Sequence, residues 1–575
     1  MTDIEMRDSR RITGPSLLWD HPGAGLEVYG PDAEIDTLVT RWTQHSRNLL
    51  DAVGWQSEKA GARRFSGGAS LIISAPIDVL YTATEVNEYA VEASVVEMGG
   101  GLTATLKETA AGLRDMIDAE RNPPLLALRQ AAIEHGATFL SDDETVSIGL
   151  GQGSLTFPVD DLPDCQSVDW AGVSDVPVAI VTGTNGKSTT VRLLASMVRA
   201  EGLVEGFSST DGIVVDGEYA DRGDYSGPEG ARTILRDRRV GVAILETARG
   251  GILRRGLPIN SVDASLVTNV AEDHLGEYGV NDLTTLIDTK LVVSRAIGRG
   301  GLLVLNRDDP GLKERSRSLN VPIAWFGLDP EAGGIGTHIE SGGAAAWLED
   351  GSLVRSVGGI REEITRVNEI PITLEGAALH NVYNSLAAIL VAGQLGLSTV
   401  SIAAGLRRFA GSPEENPGRG NIFKFGGVTA IVDFAHNAHG FRSLFDMAQS
   451  LPAKRRLILF GQAGDRTDSS IIEQAAILWE TQPDHVIIKE MDVYLRGRER
   501  GEITGLIESE LRRLGADDTR LSRADGEIDA VRQALCWSKP GDLLLLLVYA
   551  DRNATFELLD HLRTSGWQPG DALPA

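Results

Sequence analysis

The stretch "VTGTNGKSTTVRLLASM", residues 181–197, decides the fold of the central part of this chain. Apolar residues lead into it from Val178, and a glycine-rich turn follows. After Lys187 and Ser188 the apolar positions take the spacing of an amphipathic helix. A strand, a glycine-rich loop, a Lys-Ser pair and a helix in this order are typical of a site for a nucleoside triphosphate. The usual phosphate-loop pattern, however, requires a glycine where this chain has Val181.

The residues of this turn have direct chemical reasons to bind phosphate. Gly183 and Gly186 let backbone N–H groups turn toward a phosphate, and the positive end of the following helix points at the same place. Lys187 would neutralise phosphate oxygens, and the hydroxyl of Ser188 would bind Mg²⁺. The alternative is a plain Gly-Asn-Gly turn between a strand and a helix. The strong apolar strand before the turn and the helix pattern after it favour the nucleotide.

Length and composition narrow the class of protein. A chain of 575 residues is too long for one hydrophobic core, so three or four domains are expected. The formal net charge of −27 argues against a nucleic-acid partner, because nucleic-acid binders usually present a basic face. Cys165 and Cys536 form no CxxC motif, which fits a reduced, cytoplasmic compartment and no zinc cluster. We find no apolar signal-peptide segment and no apolar run long enough for a membrane span.

The order of apolar segments predicts an α/β protein with several domains. Up to about residue 165, strand-like and helical segments are mixed, and a polar, turn-rich linker follows. From residue 176 uninterrupted apolar strands alternate with helices, which suits a parallel sheet buried on both faces. A second such series follows the Pro/Gly-rich segment 411–421, a candidate hinge. We predict an α+β N-terminal domain over 1–165, a central P-loop domain with a parallel sheet over 174–411, and a Rossmann-like C-terminal domain over 412–575.

Charged residues directly follow two of the predicted central strands. Glu246 ends one strand, and Asp273 and His274 follow another, at the edge of a parallel sheet where ligands bind. A carboxylate can hold the Mg²⁺ that bridges phosphates, and a neutral imidazole is a sound metal ligand. Lys290 lies on a predicted helix downstream. Taken singly, Glu246 favours the metal ligand over a solvated strand end, whereas an isolated His274 or Lys290 is more often a hydrogen-bonded or solvated residue without a role in chemistry.

A run of arginines follows the strand-end glutamate. The segment "ARGGILRRGL" carries Arg254 and Arg255 together. These two side chains could bind an anionic group, although the motif alone is weak.

Taken in order, these motifs resemble those of the Mur ligases. The series runs from "GTNGKST" through the strand-end glutamate, "TN…DHL" and the downstream lysine to "VLNRDDP" (residues 304–310). The Mur ligase loop has the pattern G-T-x-G-K-[ST], shorter at its start than the usual phosphate loop, and this accounts for Val181. "LHNVYNSLAAI" (379–389) resembles the family's adenine-facing helix. "NPGRGNIF" and "VDFAHNAHG" resemble the start of the family's C-terminal domain.

Within the family, the chain resembles the Mur-type half of the cyanophycin synthetases in particular. "ETARGGILRRGL", "GQAGDRTD" and "KEMDVYLRGRERGEI" carry this resemblance, and "RITGPSLLWDHP" extends it to their N-terminal domain. Those enzymes have an ATP-grasp domain between the two parts, whereas this chain passes from one part to the other through a short linker. A second departure is Ala438, where many relatives have proline, which affects a turn and no charge.

The resemblance implies the chemistry and the residues of the site. Mur-type ligases join a carboxylate to an amine, using ATP to form an acyl phosphate and releasing ADP and phosphate. The expected catalytic residues are Lys187, Glu246, His274 and Lys290. The expected Mg²⁺ ligands are Ser188, Glu246, His274 and a carbamylated Lys290. The expected ATP-binding residues are Gly183, Thr184, Asn185, Gly186, Lys187, Ser188, Thr189, Asn381, Asn384, Arg419, Asp433, His436 and Asn437.

The resemblance leaves the substrates open. The expected partners are a small-molecule or peptide carboxylate and an amino acid or other amine, with no nucleic acid and no membrane. In cyanophycin synthetase the Mur-type site joins arginine to an aspartate side chain. Whether the chain forms a homo-oligomer is open, although relatives often do.

Two other functions compete with the ligase. The first is a non-catalytic paralogue that keeps the fold as a scaffold or regulator. The joint presence of Lys187, Ser188, Glu246, His274 and Lys290 argues against it. The second is a P-loop kinase or NTPase, which would not require both an acid and an amine before it consumes ATP.

Overall fold

The N-terminal part consists of two small antiparallel sheets with helices. Residues 3–101, 104–273, 275–331 and 334–574 are described by the computed structural model. The first sheet has the strand order β1-β2-β4-β3, and the second has the order β5-β6-β7. The elements are β1 (Glu5–Ile12), β2 (Gly23–Tyr29), α1 (Asp32–Ala52), β3 (Ala60–Phe65), β4 (Gly68–Ser74), α2 (Leu80–Met98), α3 (Leu106–Glu120), α4 (Pro123–Glu134), β5 (Phe139–Ser141), β6 (Thr145–Ile148) and β7 (Leu155–Pro158).

The core of this part lies between the first sheet and its helices. The apolar positions of α1 recur at helical spacing, so Ile35, Leu38 and Trp42 face the sheet and are fully buried. The indole Nε1 of Trp42 donates a hydrogen bond of 2.9 Å to Oδ1 of Asn87 on α2. This buried polar pair is satisfied, and it joins the two helices.

The central part is one large sheet with helices on both faces. Its strand order is β11-β10-β9-β12-β8-β13-β14-β15-β16-β17-β18. The elements are β8 (Val178–Thr182), α5 (Lys187–Ala200), β9 (Glu205–Ser209), β10 (Gly212–Val215), β11 (Glu218–Arg222), α6 (Pro228–Arg236), β12 (Val242–Glu246), α7 (Arg249–Arg255), β13 (Val262–Val267), α8 (Leu283–Leu291), β14 (Ile297–Asn306), α9 (Pro310–Arg315), β15 (Ile323–Gly327), α10 (Ile335–Glu340), β16 (Ala345–Glu349), β17 (Ser352–Val357), β18 (Ile360–Arg366), α11 (Leu379–Gln394) and α12 (Thr399–Arg408).

In sheet order, the strands β9, β12, β8, β13, β14, β15 and β16 are parallel, and both faces of this part of the sheet are buried. Helices α5, α11 and α12 pack on one face, and α6, α7 and α8 pack on the other. Antiparallel strands extend the sheet at both edges, as β10 and β11 on one side and β17 and β18 on the other. Because parallel strands end at the same edge, the loops after β8, β12 and β13 are neighbours.

The C-terminal part is a second α/β unit. Its sheet has the order β19-β20-β24-β21-β22-β23, with only β19 antiparallel to its neighbour. The elements are β19 (Arg419–Phe425), β20 (Val428–Asp433), α13 (Ala438–Ser450), β21 (Arg456–Phe460), α14 (Asp468–Glu480), β22 (His485–Lys489), α15 (Glu502–Arg513), β23 (Leu521–Ala524), α16 (Glu527–Trp537), β24 (Leu543–Leu547) and α17 (Arg552–Ser565).

The predicted fold class is confirmed. The apolar runs that predicted parallel strands form β8, β12, β13 and β14 in the central sheet and β20, β21, β22 and β24 in the second sheet. No helix in the described part of the chain is both long enough and apolar enough to span a bilayer. Cys165 and Cys536 are free thiols.

Candidate nucleotide-binding and ligation site

The phosphate loop lies between the ends of two parallel strands. Val181 on β8 is paired with Glu246 on β12, and Thr182 is paired with Val267 on β13. The loop leaves β8 at Gly183 and enters α5 at Lys187. It therefore sits at the carboxyl edge of the sheet, with the N-terminus of α5 beneath it.

Two glycines are required by the path of this loop. Gly183 has φ +144° and Gly186 has φ +84°, conformations that side chains rarely adopt. A Cβ atom on Gly183 would overlap the hydroxyl of Thr268, and one on Gly186 would overlap the side-chain amide of Asn384. The loop backbone therefore packs closely against Thr268 and Asn384, which leaves room only for glycine at these two positions.

A Thr-Asn pair after β13 holds the loop in place. The N–H of Thr184 donates to the carbonyl of Asn269 at 2.9 Å, and the N–H of Asn185 donates to the Asn269 Oδ1 at 3.0 Å. The hydroxyl of Thr268 in turn donates to the carbonyl of Asn185 at 2.6 Å. The sequence showed this "TN" pair as part of a motif, but its role as the brace of the loop becomes visible only in the structure.

The first turn of α5 carries the cationic and hydroxyl groups. Lys187 Nζ donates to the carbonyl of Thr184 at 3.0 Å, so its charge stays over the loop. Ser188 and Thr189 are buried beside it. The hydroxyl of Thr189 accepts a hydrogen bond of 3.3 Å from Asn416, in the segment that leads to the C-terminal part.

Glu246 is a buried carboxylate that lacks a cationic partner. It is 1% exposed and accepts hydrogen bonds from the hydroxyl and the N–H of Thr210 at 2.8 and 3.4 Å. Among the residues that the structure describes, it forms no ion pair. Buried carboxylates are usually paired with a cation or bound to a metal, so this environment fits a metal ligand.

Lys290 reaches the same loop from α8. Its Nζ donates to the carbonyl of Gly183 at 2.8 Å, and its side chain is buried. Burial, and then the nearby charge of Lys187, lower the pKa of Lys290 to about 7. A large share of this amine is therefore neutral near pH 7, and the neutral amine is the form that reacts with CO₂.

The structure describes Asp273 of the predicted pair Asp273 and His274 that follows β13. His274 lies outside the described residues. Its neighbour Asp273 accepts a hydrogen bond of 2.8 Å from Arg466 and lies 3.7 Å from Nε2 of His436. Both of these partners belong to the C-terminal part, so Asp273 joins the two α/β units at the site.

A reciprocal amide pair joins the phosphate loop to the C-terminal part. Asn185 and Asn437 each donate from Nδ2 to the other's Oδ1 at 3.1 Å. Asn185 also lies 3.0 Å from Nδ1 of His439. Asn437 caps α13 as well, because its Oδ1 accepts from the N–H of Gly440 at 2.8 Å. One side chain therefore fixes both the helix start and the contact between the domains.

Two of the expected ATP-binding residues border one cavity between the two α/β units. Asn381 and Arg419 both line a cavity of about 490 Å³, together with apolar side chains such as Ile372 and Phe423. Asn384 donates to Oδ1 of Asn381 at 3.1 Å. Charged side chains, among them Lys424, Asp560 and Arg563, also line the cavity, so it offers both apolar surface and fixed polar groups to a bound nucleotide.

The remaining expected residues cluster at the end of β20. In the antiparallel register, Arg419 on β19 lies opposite Asp433 on β20. The guanidinium of Arg419 lies 5.0 Å from the centre of the Phe434 ring. Burial raises the pKa of Asp433 to about 6, although the charge of Arg419 opposes this rise. His436 Nδ1 lies 3.0 Å from the carbonyl of Phe434. This cluster faces Asp273 through His436.

Arg249 is a further cation at the site that sequence reasoning did not single out. Its side chain is 10% exposed and pairs with Glu277, and its charge contributes to the lowered pKa of Lys290. In the described part of the structure its Nη1 is buried without a hydrogen-bond partner. The signal in the sequence was its place three residues after the strand-end Glu246.

The described side chains alone do not form a closed metal cage. In the part of the chain that the structure describes, no group of three or more His, Cys, Asp or Glu residues is placed to hold a metal ion. Mg²⁺ is usually bound by one or two protein carboxylates together with substrate phosphates and water. Ser188 and the unpaired Glu246 fit this open type of site.

The fold and the phosphate loop define this protein as an α/β protein with a P-loop in its central unit. A second α/β unit contacts that loop through Asn437. Comparison with known proteins gives the family. Residues 181–392 match the Mur ligase middle domain, and residues 418–547 match the Mur ligase, glutamate ligase domain. Together these matches cover more than half of the chain, and the chain belongs to the Mur ligase family, whose members are ATP-dependent ligases.

Several proteins are similar over large parts of the chain. Cyanophycin synthetase of Trichormus variabilis is 37% identical over 372 residues, which are 65% of this chain and 41% of that protein. Cyanophycin synthetase of Synechocystis sp. is 40% identical over 334 residues, which are 58% and 38% of the two chains. The chain thus spans about two fifths of the length of these relatives. Among solved structures, E. coli FolC in complex with ADP is 18% identical with a TM-score of 0.49, covering 68% of this chain and 90% of that chain.

Proposed function

We propose that the protein is an ATP-dependent amide ligase that activates a carboxylate as an acyl phosphate and condenses it with an amine. The observation that carries the proposal is the meeting of three features at one strand edge. The loop from Gly183 to Ser188, the buried groups Glu246 and Lys290, and Asn437 of the C-terminal unit converge there. Membership in a family of ATP-dependent ligases supports the amide-forming outcome.

The reaction proceeds in two steps. An oxygen of the acceptor carboxylate attacks the γ-phosphorus of ATP, and the bond to ADP breaks. The amine nitrogen then attacks the carbonyl carbon of the acyl phosphate, loses a proton, and phosphate leaves with the former carboxylate oxygen. The protein contributes positioning and charge stabilisation, because two anions, carboxylate and triphosphate, have to meet.

The residues around the loop have separate tasks in this reaction. Lys187 and the N–H groups of the loop bind the triphosphate. Ser188, Glu246, His274 and a carbamylated Lys290 would hold Mg²⁺, which supplies positive charge beside the phosphates when bound. The lowered pKa of Lys290 supports carbamylation, and a carbamate oxygen is a better Mg²⁺ ligand than an ammonium. Arg249 offers to the reacting carboxylate its Nη1, which has no hydrogen-bond partner among the described residues.

The C-terminal unit completes the ATP site. Asn381 or Asn384 binds the adenine, and Arg419 reaches ATP from the C-terminal unit. Asn381 and Arg419 line the cavity between the units, and Asn384 donates a hydrogen bond to Asn381. At the end of β20, Asp433 reaches ATP from the C-terminal unit. His436 and Asn437 lie nearby, directly before α13. The contacts of Asn437 with Asn185 make closure of the C-terminal unit part of ATP binding, and closure excludes water from the acyl phosphate.

The test is an ATP-consumption screen. The purified protein is incubated with ATP, Mg²⁺ and a matrix of amino acids and dipeptides, and both ADP and product masses are measured. The proposal requires ADP formation only where an acid and an amine are both present, together with a new mass equal to their sum less water. Equal ATP consumption without either substrate would identify an NTPase, and no consumption in any well, despite ATP binding, would favour a non-catalytic paralogue.

A further inference from the structure

The N-terminal sheet meets the central unit along two motifs that lie far apart in the sequence. The N–H of Thr13 donates to the carbonyl of Arg255 at 2.8 Å, and the N–H of Leu257 donates to the carbonyl of Pro15 at 2.7 Å. Gly256 has φ +79°, and a Cβ there would lie 2.5 Å from the carbonyl oxygen of Gly14. The segments "RITGP" and "RRGLP" therefore form one close seam.

Arginines gather at this seam. Their positions on β1, α6 and α7 are Arg10, Arg11, Arg232, Arg236 and Arg255. Three of them have carboxylate partners. Arg10 pairs with Glu27, Arg11 pairs with Asp143, and Arg236 pairs with Asp142.

The other two arginines have no carboxylate partner among the described residues. Arg232 donates from Nη2 to the hydroxyl of Thr13 at 2.9 Å, and Arg255 donates from Nη1 to the carbonyl of Arg11 at 3.3 Å. Burial, opposed by Asp142 for Arg232, lowers the pKa of both guanidinium groups, and their mutual repulsion contributes to the shift of Arg232. The seam thus holds two guanidinium groups in excess, in a chain whose net charge is −27.

The nearby carboxylates are already occupied. Asp143 accepts from both Nη atoms of Arg11 and from the hydroxyl of Tyr81. Asp142 accepts from Arg236 and from the N–H of Thr145. Glu120, which also lies near Arg11, accepts from the N–H groups at the start of α2. Because a partly buried cation without a carboxylate partner is costly, and the described residues offer none to Arg232 and Arg255, this arrangement suits an anion supplied from outside the chain.

The seam is within reach of the ligation site. Helix α7 begins three residues after Glu246 and ends at Arg255, and the N–H of Ala248 donates to the carbonyl of Ser226 just before α6. From the start of α7 to Arg255 the helical rise is about 9 Å. An extended chain covers that distance with roughly three residues.

We propose that Arg232 and Arg255 bind a second carboxylate of the acceptor while its first carboxylate is activated at the phosphate loop. The acceptor is then an acidic peptide or amino-acid derivative with at least two carboxylates, one anchored and one reacting. This inference rests on the proposed ligase function and adds the substrate class. Guanidinium groups suit this task because their planar N–H fork matches a carboxylate.

Calorimetric binding of two probes to the full-length protein tests the subsite. N-acetyl-Asp-Asp carries side-chain carboxylates, and N-acetyl-Asn-Asn has the same shape with amides in their place. Wild-type protein is expected to bind the acidic probe more tightly. Arg232→Gln and Arg255→Gln should each weaken its binding roughly tenfold or more and leave the amide probe unaffected.

Arg254→Gln is the matched control, because Arg254 neighbours Arg255 on α7 and is exposed. It should bind both probes as the wild type does. Arg255→Lys, which keeps the charge and loses the fork, should give an intermediate affinity and covers the case in which Arg232→Gln does not fold. Unchanged affinity in the Gln variants, or no binding of the acidic probe by wild type, would overturn the inference.

Two further measurements distinguish an acceptor subsite from a general anion site and from a failure of the proposed ligase function. Inorganic phosphate that displaces the acidic probe at equal concentration would show a general anion site instead of an acceptor subsite. ATP affinity should be the same in Arg232→Gln, Arg255→Gln and wild type. If the variants bind ATP, form amide and also bind the acidic probe as the wild type does, the subsite proposal is wrong and the ligase proposal is retained. If neither the wild type nor any variant forms amide with ATP, the ligase proposal is wrong.

Discussion

Lys187 and Lys290 place two amino groups on one loop from different elements. Lys187 contacts the carbonyl of Thr184 from α5, and Lys290 contacts the carbonyl of Gly183 from α8. Their mutual repulsion is relieved if Lys290 is neutral, which is what its pKa of about 7 allows. The two residues are therefore expected to act differently: Lys187 as a cation beside the phosphates, and Lys290 as a negatively charged carbamate.

Lys187→Ala should reduce ATP-dependent turnover by roughly a hundredfold or more, since it removes a cation from beside the phosphates. The melting temperature should change little, because among the described residues the side chain of Lys187 makes one hydrogen bond, to the carbonyl of Thr184. Steady-state kinetics and thermal unfolding give both quantities. Lys539→Ala, at an exposed site, serves as the control. Amide formation by Lys187→Ala at the wild-type rate would remove the phosphate-loop assignment.

Lys290→Ala should also lose activity by orders of magnitude, but for another reason. The carbamate oxygens that would bind Mg²⁺ are missing, so a small carboxylic acid such as formate should restore part of the rate by filling the vacated space. Formate should not restore Lys187→Ala. A Lys290→Ala protein with normal turnover would rule out the carbamate.

At the scale of elements, the start of α13 connects helix capping with domain closure. Asn437 holds the first turn through Gly440 and the phosphate loop through Asn185. The two tasks can be separated, because Asp caps a helix as well as Asn does but cannot donate a hydrogen bond.

Asn437→Asp should keep thermal stability near that of wild type and raise the KM for ATP, since a carboxylate then faces the loop and the phosphates. Asn437→Ala should raise the KM and also lose about 1 kcal/mol of stability, because the cap is gone. Chemical denaturation and kinetics on both variants measure the two effects. Equal KM values for Asn437→Asp and wild type would mean that the amide pair does not matter for ATP binding.

The C-terminal sheet contains a buried ion pair at the end of β22. Lys489 is fully buried and contacts Glu527 and the ring of Tyr549 at 4.2 Å from its centre. Glu527 also accepts from the N–H groups of Tyr549 and Ala550 before α17. Breaking one side of such a pair leaves a buried charge without its partner.

Lys489→Met should therefore destabilise the protein by about 3–5 kcal/mol. The double variant Lys489→Met with Glu527→Gln should recover part of this loss, because no uncompensated charge remains. Denaturant unfolding of the two variants and wild type gives the comparison. Additive losses in the double variant would contradict the ion-pair explanation.

For the whole molecule, the sequence predicted the two parallel sheets because their strands are uninterrupted apolar runs such as β8 and β24. It did not predict the antiparallel edge strands β10, β11, β17 and β18, because β10 is only four residues long and polar residues interrupt the other three. Loop and strand-end residues of the site could be found from motifs. The brace by Thr268 and the Asn185–Asn437 pair could not, since contacts between residues far apart in the chain leave no local signal.

The described part of the molecule carries one candidate ATP site, which starts at the loop after Gly183 and which we propose is completed by the C-terminal unit. No second glycine-rich loop followed by Lys-Ser or Lys-Thr occurs in the first 165 residues. We therefore expect one amide bond for each acceptor carboxylate and no long polymer from free aspartate and arginine. Mass spectrometry of a reaction with only these two amino acids and ATP decides this, because a ladder of Asp-Arg repeats would contradict a single site.

The most direct test of the central claim follows an oxygen atom. An acceptor found in the substrate screen is labelled with ¹⁸O in its carboxylate and converted to amide with unlabelled ATP, and the released phosphate is analysed by mass spectrometry. Activation as an acyl phosphate predicts one ¹⁸O atom in the phosphate for each amide formed, because phosphate leaves with the former carboxylate oxygen. Phosphate free of ¹⁸O, alongside amide formation, would contradict the account.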